Sequence, residues 1–290
     1  MRSVRRSSEG RVEQEIKDFW NTHPCGEFVV DAKFAVEAER FFQDYDAYRY
    51  RVEGHILGCL DAIDWRGKEV LEIGLGQGAD SEQLIRRGAL WSGLDLTPEA
   101  VHRVRTRLTL RNLPFGDVRV GSILEPPYSP GSFDKIYSHG VLHHVPDIRR
   151  ASTQLAKLLR PGGELVMMMY ARWSLNYYLT MHLFRRIAQS GAYLAGLHSS
   201  YPLRGGYVEI IRKYGLPDYL RMKNFVHHNT DGPLCPHSGV YDLARVRRDF
   251  PEFRIVRSYK RFMTCGPLPV RNLTRGKWLG WHLWVHLTPR

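Results

Sequence analysis

The chain has 290 residues, is 43% hydrophobic and 25% charged, and carries a formal net charge of +12. That is enough apolar sequence for a full buried core, in one large domain or a domain with a cap, and the lack of any repeat or biased tract excludes solenoid and low-complexity classes. The positive excess sits at the two ends: residues 1–11 hold four Arg and one Glu, residues 243–290 hold eleven Lys or Arg against two acids, and the remainder balances. Basic ends suit a polyanion or a lipid surface, but solvated helix faces explain them as well, so no stable nucleic-acid partner is expected and at most weak surface association. The longest apolar stretch, 164–184, is interrupted by Arg172 and Asn176 and argues against a membrane span. With no apolar signal core at the N-terminus and four scattered cysteines (Cys25, Cys59, Cys235, Cys265) lacking a C-x-x-C pair, a cytoplasmic protein without zinc or a disulfide framework is expected.

Taken in chain order, residues 1–50 read as an N-terminal extension contributing to a cap. A helix there carries Val12, Ile16 and Phe19 or Trp20 on one face, and an aromatic-rich stretch follows with Phe41, Phe42, Tyr45, Tyr48 and Tyr50. The core is expected over 51–170, with strands at 69–73, 91–96, 117–120, 133–138 and 164–170. Between them, Thr97 caps a helix that starts at Pro98 and presents Val101, Val104 and Leu108; Ile148, Ala151 and Leu155 line another. Residues 171–240 form an insertion that opens with an amphipathic helix bearing Leu175, Tyr178, Leu179, Leu183 and Ile187. Residues 241–290 then supply a helix at 241–250 and strands at 253–259 and 280–287. Such alternation gives an α/β fold with a mostly parallel sheet and ligands at the strand C-terminal ends.

The most informative segment is Val70-Leu-Glu-Ile-Gly-Leu-Gly-Gln-Gly-Ala-Asp80. A buried strand breaks into three alternating glycines, Gly74, Gly76 and Gly78, where side chains would keep a ligand off the backbone. The spacing also fits a dinucleotide loop, so an NAD-binding oxidoreductase is one alternative. Glu72 weighs against it, because a carboxylate at the strand tip repels a diphosphate and suits a ligand carrying sulfonium and ammonium groups. Asp95, 21 residues after Gly74 at the end of the next strand, is placed to accept hydrogen bonds from ribose hydroxyls.

Together with Phe133-Asp-Lys-Ile-Tyr-Ser-His139, the following Gly140-Val-Leu-His-His-Val-Pro-Asp147, and Leu159-Arg-Pro-Gly-Gly-Glu-Leu-Val166, this loop resembles the class I S-adenosylmethionine-dependent methyltransferases. The resemblance covers residues 66–171 and returns at the C-terminus. It implies a Rossmann-like sheet of seven strands, mostly parallel with the last antiparallel, flanked by helices and covered by a helical cap. It further implies S-adenosylmethionine as cofactor, held by Glu72, Gly74, Gly76, Gly78, Asp95, Leu96, Ser122, Ile123 and the backbone of His139. Where the family often has an acid after strand three for the adenine amino group, this chain has Ser122, and weaker adenine selectivity is expected.

The sulfonium is already an activated electrophile, so chemistry requires alignment, desolvation and, for some acceptors, a base. Candidates are His139, His144 with its neighbour His143, and Tyr170. The cluster His227-His-Asn-Thr-Asp231, with His237 and Tyr241, matches no standard zinc spacing, and acceptor contacts are preferred there over a metal. Glu125-Pro-Pro-Tyr128 superficially resembles the signature of amino-methylating nucleic-acid enzymes, but it starts with the wrong residue and precedes strand four, so it reads as a loop. The expected activity is methyl transfer to an O, N or activated C nucleophile of a small, partly apolar metabolite, the alternative being an RNA methyltransferase that uses the basic ends.

Overall fold

Apolar segments separated by glycine turns become seven strands of one sheet: β1 Glu69–Ile73, β2 Leu90–Asp95, β3 Val118–Val120, β4 Phe133–His139, β5 Leu159–Tyr170, β6 Phe253–Arg261 and β7 His282–Pro289. The computed structural model describes residues 2–266, 268–270 and 276–290. The sheet order is β3-β2-β1-β4-β5-β7-β6. β1 to β5 pair in parallel, and β7 runs antiparallel between β5 and β6. Chain order reverses on either side of β1, where β2 and β4 diverge. Above the C-terminal ends of those strands the flanking loops part, and α/β sheets bind ligands in that crevice.

Helices pack on both faces. On one lie α3 (His55–Asp61), α4 (Ala79–Arg86) and α5 (Pro98–Leu110); on the other lies α6 (Ile148–Leu158). Thr97 caps α5 by accepting a hydrogen bond from the Ala100 N–H at 3.3 Å, with Pro98 in the first turn. Before the sheet come α1 (Arg2–Thr22) and α2 (Ala38–Glu53). Phe41, Phe42 and Tyr45 of α2 form a small core that reaches Ala79 at the start of α4, so the N-terminal extension is packed against the glycine loop. Beyond β5 come α7 (Arg186–Leu194), α8 (Tyr207–Tyr214), α9 (Leu216–Tyr219) and α10 (Met222–Thr230), then α11 (Leu243–Asp249) and the short α12 (Gly276–Leu279). The segment 171–240 has its own apolar cluster, including Met181, Ile211, Tyr219 and Phe225.

Some boundaries differ from the sequence expectation. β5 begins at Leu159, because Leu159 pairs with Phe133 and the Pro161-Gly162-Gly163 turn is absorbed as a register shift. A Cβ at Gly163 would lie 2.9 Å from the Arg160 carbonyl and 3.0 Å from that of Asp134, which accounts for glycine there. α11 starts at Leu243: Asp242 caps it through the Arg245 N–H at 2.8 Å, and Tyr241 instead bridges to Ala171. The amphipathic helix of the insertion is a π-helical segment, Asn176–Arg185, continued by α7. Its wider turn rotates the face, so Thr180 and Met181 are buried while Tyr178, Leu183 and Ile187 are exposed.

Among the described residues no helix is long and apolar enough to cross a membrane. Arg271 and Arg275 of the basic C-terminal end lie outside the described residues.

Candidate active site

The loop from β1 into α4 borders a cleft of about 1210 Å³ at the sheet's C-terminal edge, large enough for a nucleoside cofactor and a second small molecule. Its three glycines have positive φ of 78°, 52° and 75°, and each is glycine for a different reason. A Cβ on Gly74 would fall 2.2 Å from Val141 Cγ2, and one on Gly78 would fall 3.0 Å from Val104 and 3.1 Å from Arg107. Only Gly76 faces open space. The expectation that all three clear a ligand is therefore corrected: Gly74 and Gly78 make room for protein, and Gly76 makes room in the cleft.

Glu72 is also corrected. It is 2% exposed and accepts a hydrogen bond from Trp91 Nε1 at 2.8 Å. Burial, reinforced by Asp80, raises its pKa to about 8, so near neutral pH it is largely protonated and cannot supply the expected charge. A carboxyl whose folded pKa lies above its unfolded value destabilises the fold as pH rises from about 4.5 to about 8. Glu72→Gln should remove a pH-dependent loss on the order of 4 kcal/mol. Urea unfolding of both proteins at pH 5 and pH 9 checks this: the variant should gain relative to the parent at pH 9, and equal gaps at the two pH values would refute the shifted carboxyl.

The charges near the loop are instead Asp80 and Arg49. Asp80 Oδ1 accepts from Arg49 Nη2 and its Oδ2 from the Tyr137 hydroxyl, both at 2.8 Å. Arg49 comes from α2, and its buried Nε has no partner. Asp95 accepts from the Leu75 N–H at 2.7 Å and from the Thr97 N–H and hydroxyl at 2.8 Å each, which fixes it at the mouth of β2. Burial raises its pKa against those donors and the Gly76 backbone N–H. Leu96 and Ile123 line the same cleft. Ser122 donates its hydroxyl to the Glu13 carboxylate of α1 and accepts from the Leu124 N–H at 3.0 Å. The hydroxyl is thus fully engaged, and Glu13, 109 residues away in sequence, supplies an acid beside it.

Across the cleft, His139 packs against Trp284 and Tyr137, with Nδ1 3.9 Å from Asp80. Burial, then Arg49, holds its pKa well below the ordinary value. Tyr170 donates its hydroxyl to Asp231 Oδ1 at 2.6 Å, and burial followed by the Asp231 charge raises its pKa well above the ordinary value. It is therefore a protonated donor, not the base the sequence suggested. His144 pairs Nδ1 with the His237 carbonyl at 2.6 Å and points Nε2 toward Asp231 Oδ2 at 3.4 Å. Trp20 of α1 meets the His144 ring edge-on with centroids 5.4 Å apart. Of the 227–231 cluster only Asp231 joins this group; His227 accepts from the Ser238 N–H at 2.9 Å and His228 bonds the Pro233 carbonyl.

Residues 71–167 match the methyltransferase domain model. That segment is a methyltransferase domain of the class I S-adenosylmethionine-dependent kind. The chain shares 38% identity over 107 residues with a ubiquinone biosynthesis O-methyltransferase of Xanthomonas euvesicatoria pv. vesicatoria, covering 36% of this chain and 43% of that one. The chain thus spans less than half the length of this curated relative. An S-adenosylmethionine-dependent methyltransferase from Mesorhizobium loti has the same fold, with TM-score 0.51, 16% identity, and coverage of 82% and 98%. One from Methanosarcina mazei aligns with TM-score 0.51, 16% identity, and coverage of 79% and 95%. S-adenosylmethionine is the cofactor of this fold family. The cleft fits it: Gly76 leaves space, an engaged carboxylate stands at β2, and a buried guanidinium nitrogen stands unpartnered.

Proposed function

We propose that the protein transfers a methyl group from S-adenosylmethionine to a hydroxyl, or less specifically another O, N or activated C nucleophile, of a small, partly apolar molecule. When bound, the cofactor supplies a methyl group on an electrophilic sulfonium. Asp95 takes a ribose hydroxyl at the mouth of β2, Leu96 and Ile123 flank the base, and Glu13 accepts from the adenine amino group in place of Ser122. Arg49 and Asp80 are complementary to a zwitterionic amino-acid end, the guanidinium taking the carboxylate and the acid taking the ammonium. His139 walls the cleft beside them.

The acceptor meets the opposite end. Ile16, Phe19 and Trp20 of α1 give this end an apolar wall, and His144 and Asp231, which line it, are the candidate proton acceptors for an acceptor's hydroxyl. Tyr170 orients Asp231 by donating to it. Residues 1–50 and 171–240 serve as the cap that covers both ligands. The observation that carries this reading is one continuous cleft with the open Gly76 at one end and the His144–Asp231–Tyr170 group at the other. Its similarity to a ubiquinone O-methyltransferase supports a hydroxyl acceptor.

Calorimetry with S-adenosylhomocysteine and with NAD tests the cofactor, and incorporation of labelled methyl groups into small-molecule pools tests the acceptor. Binding of NAD but not S-adenosylhomocysteine, or labelling confined to RNA, would overturn it. Losing a hydrogen bond to a charged group costs about 1.5–3 kcal/mol, so Glu13→Gln should weaken S-adenosylhomocysteine binding by about tenfold or more. An unchanged dissociation constant would remove Glu13 from the adenine site.

A further inference from the structure

The geometry points to a divalent transition-metal site formed by His143, His144 and Asp231, where sequence spacing suggested none. One ligand atom from each lies within 4.8 Å of the others. His143 and His144 come from the turn after β4, and Asp231 directly follows α10, so the fold itself brings the three together.

Hydrogen-bond bookkeeping carries the argument. A backbone carbonyl only accepts, so the His144 Nδ1 bonded to the His237 carbonyl bears the proton. In the neutral ring Nε2 is then a bare lone pair, and it faces Asp231 Oδ2, a second acceptor, at 3.4 Å. Both atoms are buried without a hydrogen-bond partner. Two acceptors face each other in this way only when something positive lies between them. A proton on Nε2 would settle that contact alone. It would leave His143, 1% exposed, with neither ring nitrogen partnered. A single cation satisfies all three side chains.

The surroundings have the features of an outer metal shell. The Nδ1–H donation from His144 to a carbonyl fixes the tautomer that frees Nε2, and the Tyr170 hydroxyl holds the other oxygen of Asp231 at 2.6 Å. Two imidazoles and one carboxylate with vacant positions suit Zn²⁺, Fe²⁺ or Co²⁺ better than Mg²⁺ or Ca²⁺. His144 and Asp231 border the cleft, so those positions open toward the acceptor. The site deepens the methyl-transfer reading and rests on it for its role: an acceptor oxygen would meet the ion, and His144 and Asp231 would then act as its ligands in place of accepting the proton themselves. Binding of the metal itself does not depend on that reading.

The test uses the full chain after chelator treatment, titrated with Co²⁺ alone while the visible ligand-field bands are recorded, followed by displacement with Zn²⁺. One equivalent of Co²⁺ should give the bands, Zn²⁺ should abolish them, and His143→Gln and Asp231→Asn should each weaken uptake by about 10-fold to 100-fold or more. Calorimetry with S-adenosylhomocysteine on every protein confirms that the cofactor site is folded. Absence of saturable Co²⁺ uptake in protein that binds S-adenosylhomocysteine, or equal uptake in both variants, overturns the metal site and leaves the methyltransferase reading standing. Loss of S-adenosylhomocysteine binding in the unmodified protein would instead strike that reading.

Discussion

Replacing Arg107 by methionine should lower the unfolding free energy by about 3–5 kcal/mol, because removing one partner of a buried ion network leaves uncompensated charge. Arg107 is fully buried. Its Nε donates to Glu82 at 2.9 Å, Nη2 to Asp46 at 2.6 Å and Nη1 to the Gln77 carbonyl at 3.3 Å, while the guanidinium lies 5.2 Å from the Phe42 ring centre. One side chain of α5 therefore ties together α2, α4 and the glycine loop. Methionine fills the volume but takes from Glu82, whose side chain is 4% exposed, its one fully buried arginine partner. Arg111 also reaches Glu82 and Asp46 and keeps part of the network, which places the loss at a few kcal/mol and short of complete unfolding. Burial alone would raise the Glu82 pKa, but Arg107, Arg86 and Arg111 together bring it below the ordinary value. Its stabilisation is thus present above that ordinary value and lost as pH falls through the lowered one. Urea unfolding at pH 7 measures the effect; a change under about 1 kcal/mol would show that Arg111 alone sustains the network.

The parallel sheet was legible because each strand is a short apolar run bounded by glycine, proline or a cap, and because the order of motifs fixes the switch point beside β1. Gly74, Gly76, Asp95, Ser122 and His139 all border the cleft, since loops at the C-terminal ends of adjacent parallel strands converge. What could not be read is long-range pairing. Glu13 and Arg49 lie on helices whose docking is set by three-dimensional contacts, 109 residues from Ser122 in one case and 31 from Asp80 in the other. Glu72 misled for a related reason: its charge was inferred from type, whereas its protonation follows from burial, reinforced by Asp80. The π-helical segment defeated the helical face by changing the period itself. His143 and Asp231 meet only once the segment 171–240 has folded against the sheet.

Gly76→Ala should cost S-adenosylhomocysteine about 100-fold in affinity while leaving the fold largely intact, and Gly74→Ala should do the opposite. At Gly76 the new methyl group meets no protein atom within 4 Å and projects into the cleft. The φ of 52° suits a left-handed turn, which alanine adopts at a cost of about 1–2 kcal/mol. That strain falls on free and bound protein alike, so the affinity loss comes from the methyl group against the ligand, and about 2.7 kcal/mol corresponds to two decades of dissociation constant. At Gly74 the methyl group would sit 2.2 Å from Val141 Cγ2 and 2.7 Å from Cγ1, so β1 and the turn after β4 must separate. Overpacking of this kind typically costs about 1–3 kcal/mol, added to the φ strain. Removing both γ carbons in Gly74→Ala/Val141→Ala should recover part of that stability, a coupling a double-mutant cycle reads directly. Calorimetric affinity beside thermal unfolding separates the two glycines. Parental affinity in Gly76→Ala would mean that the cofactor does not rest on this backbone, and the cleft would need another occupant.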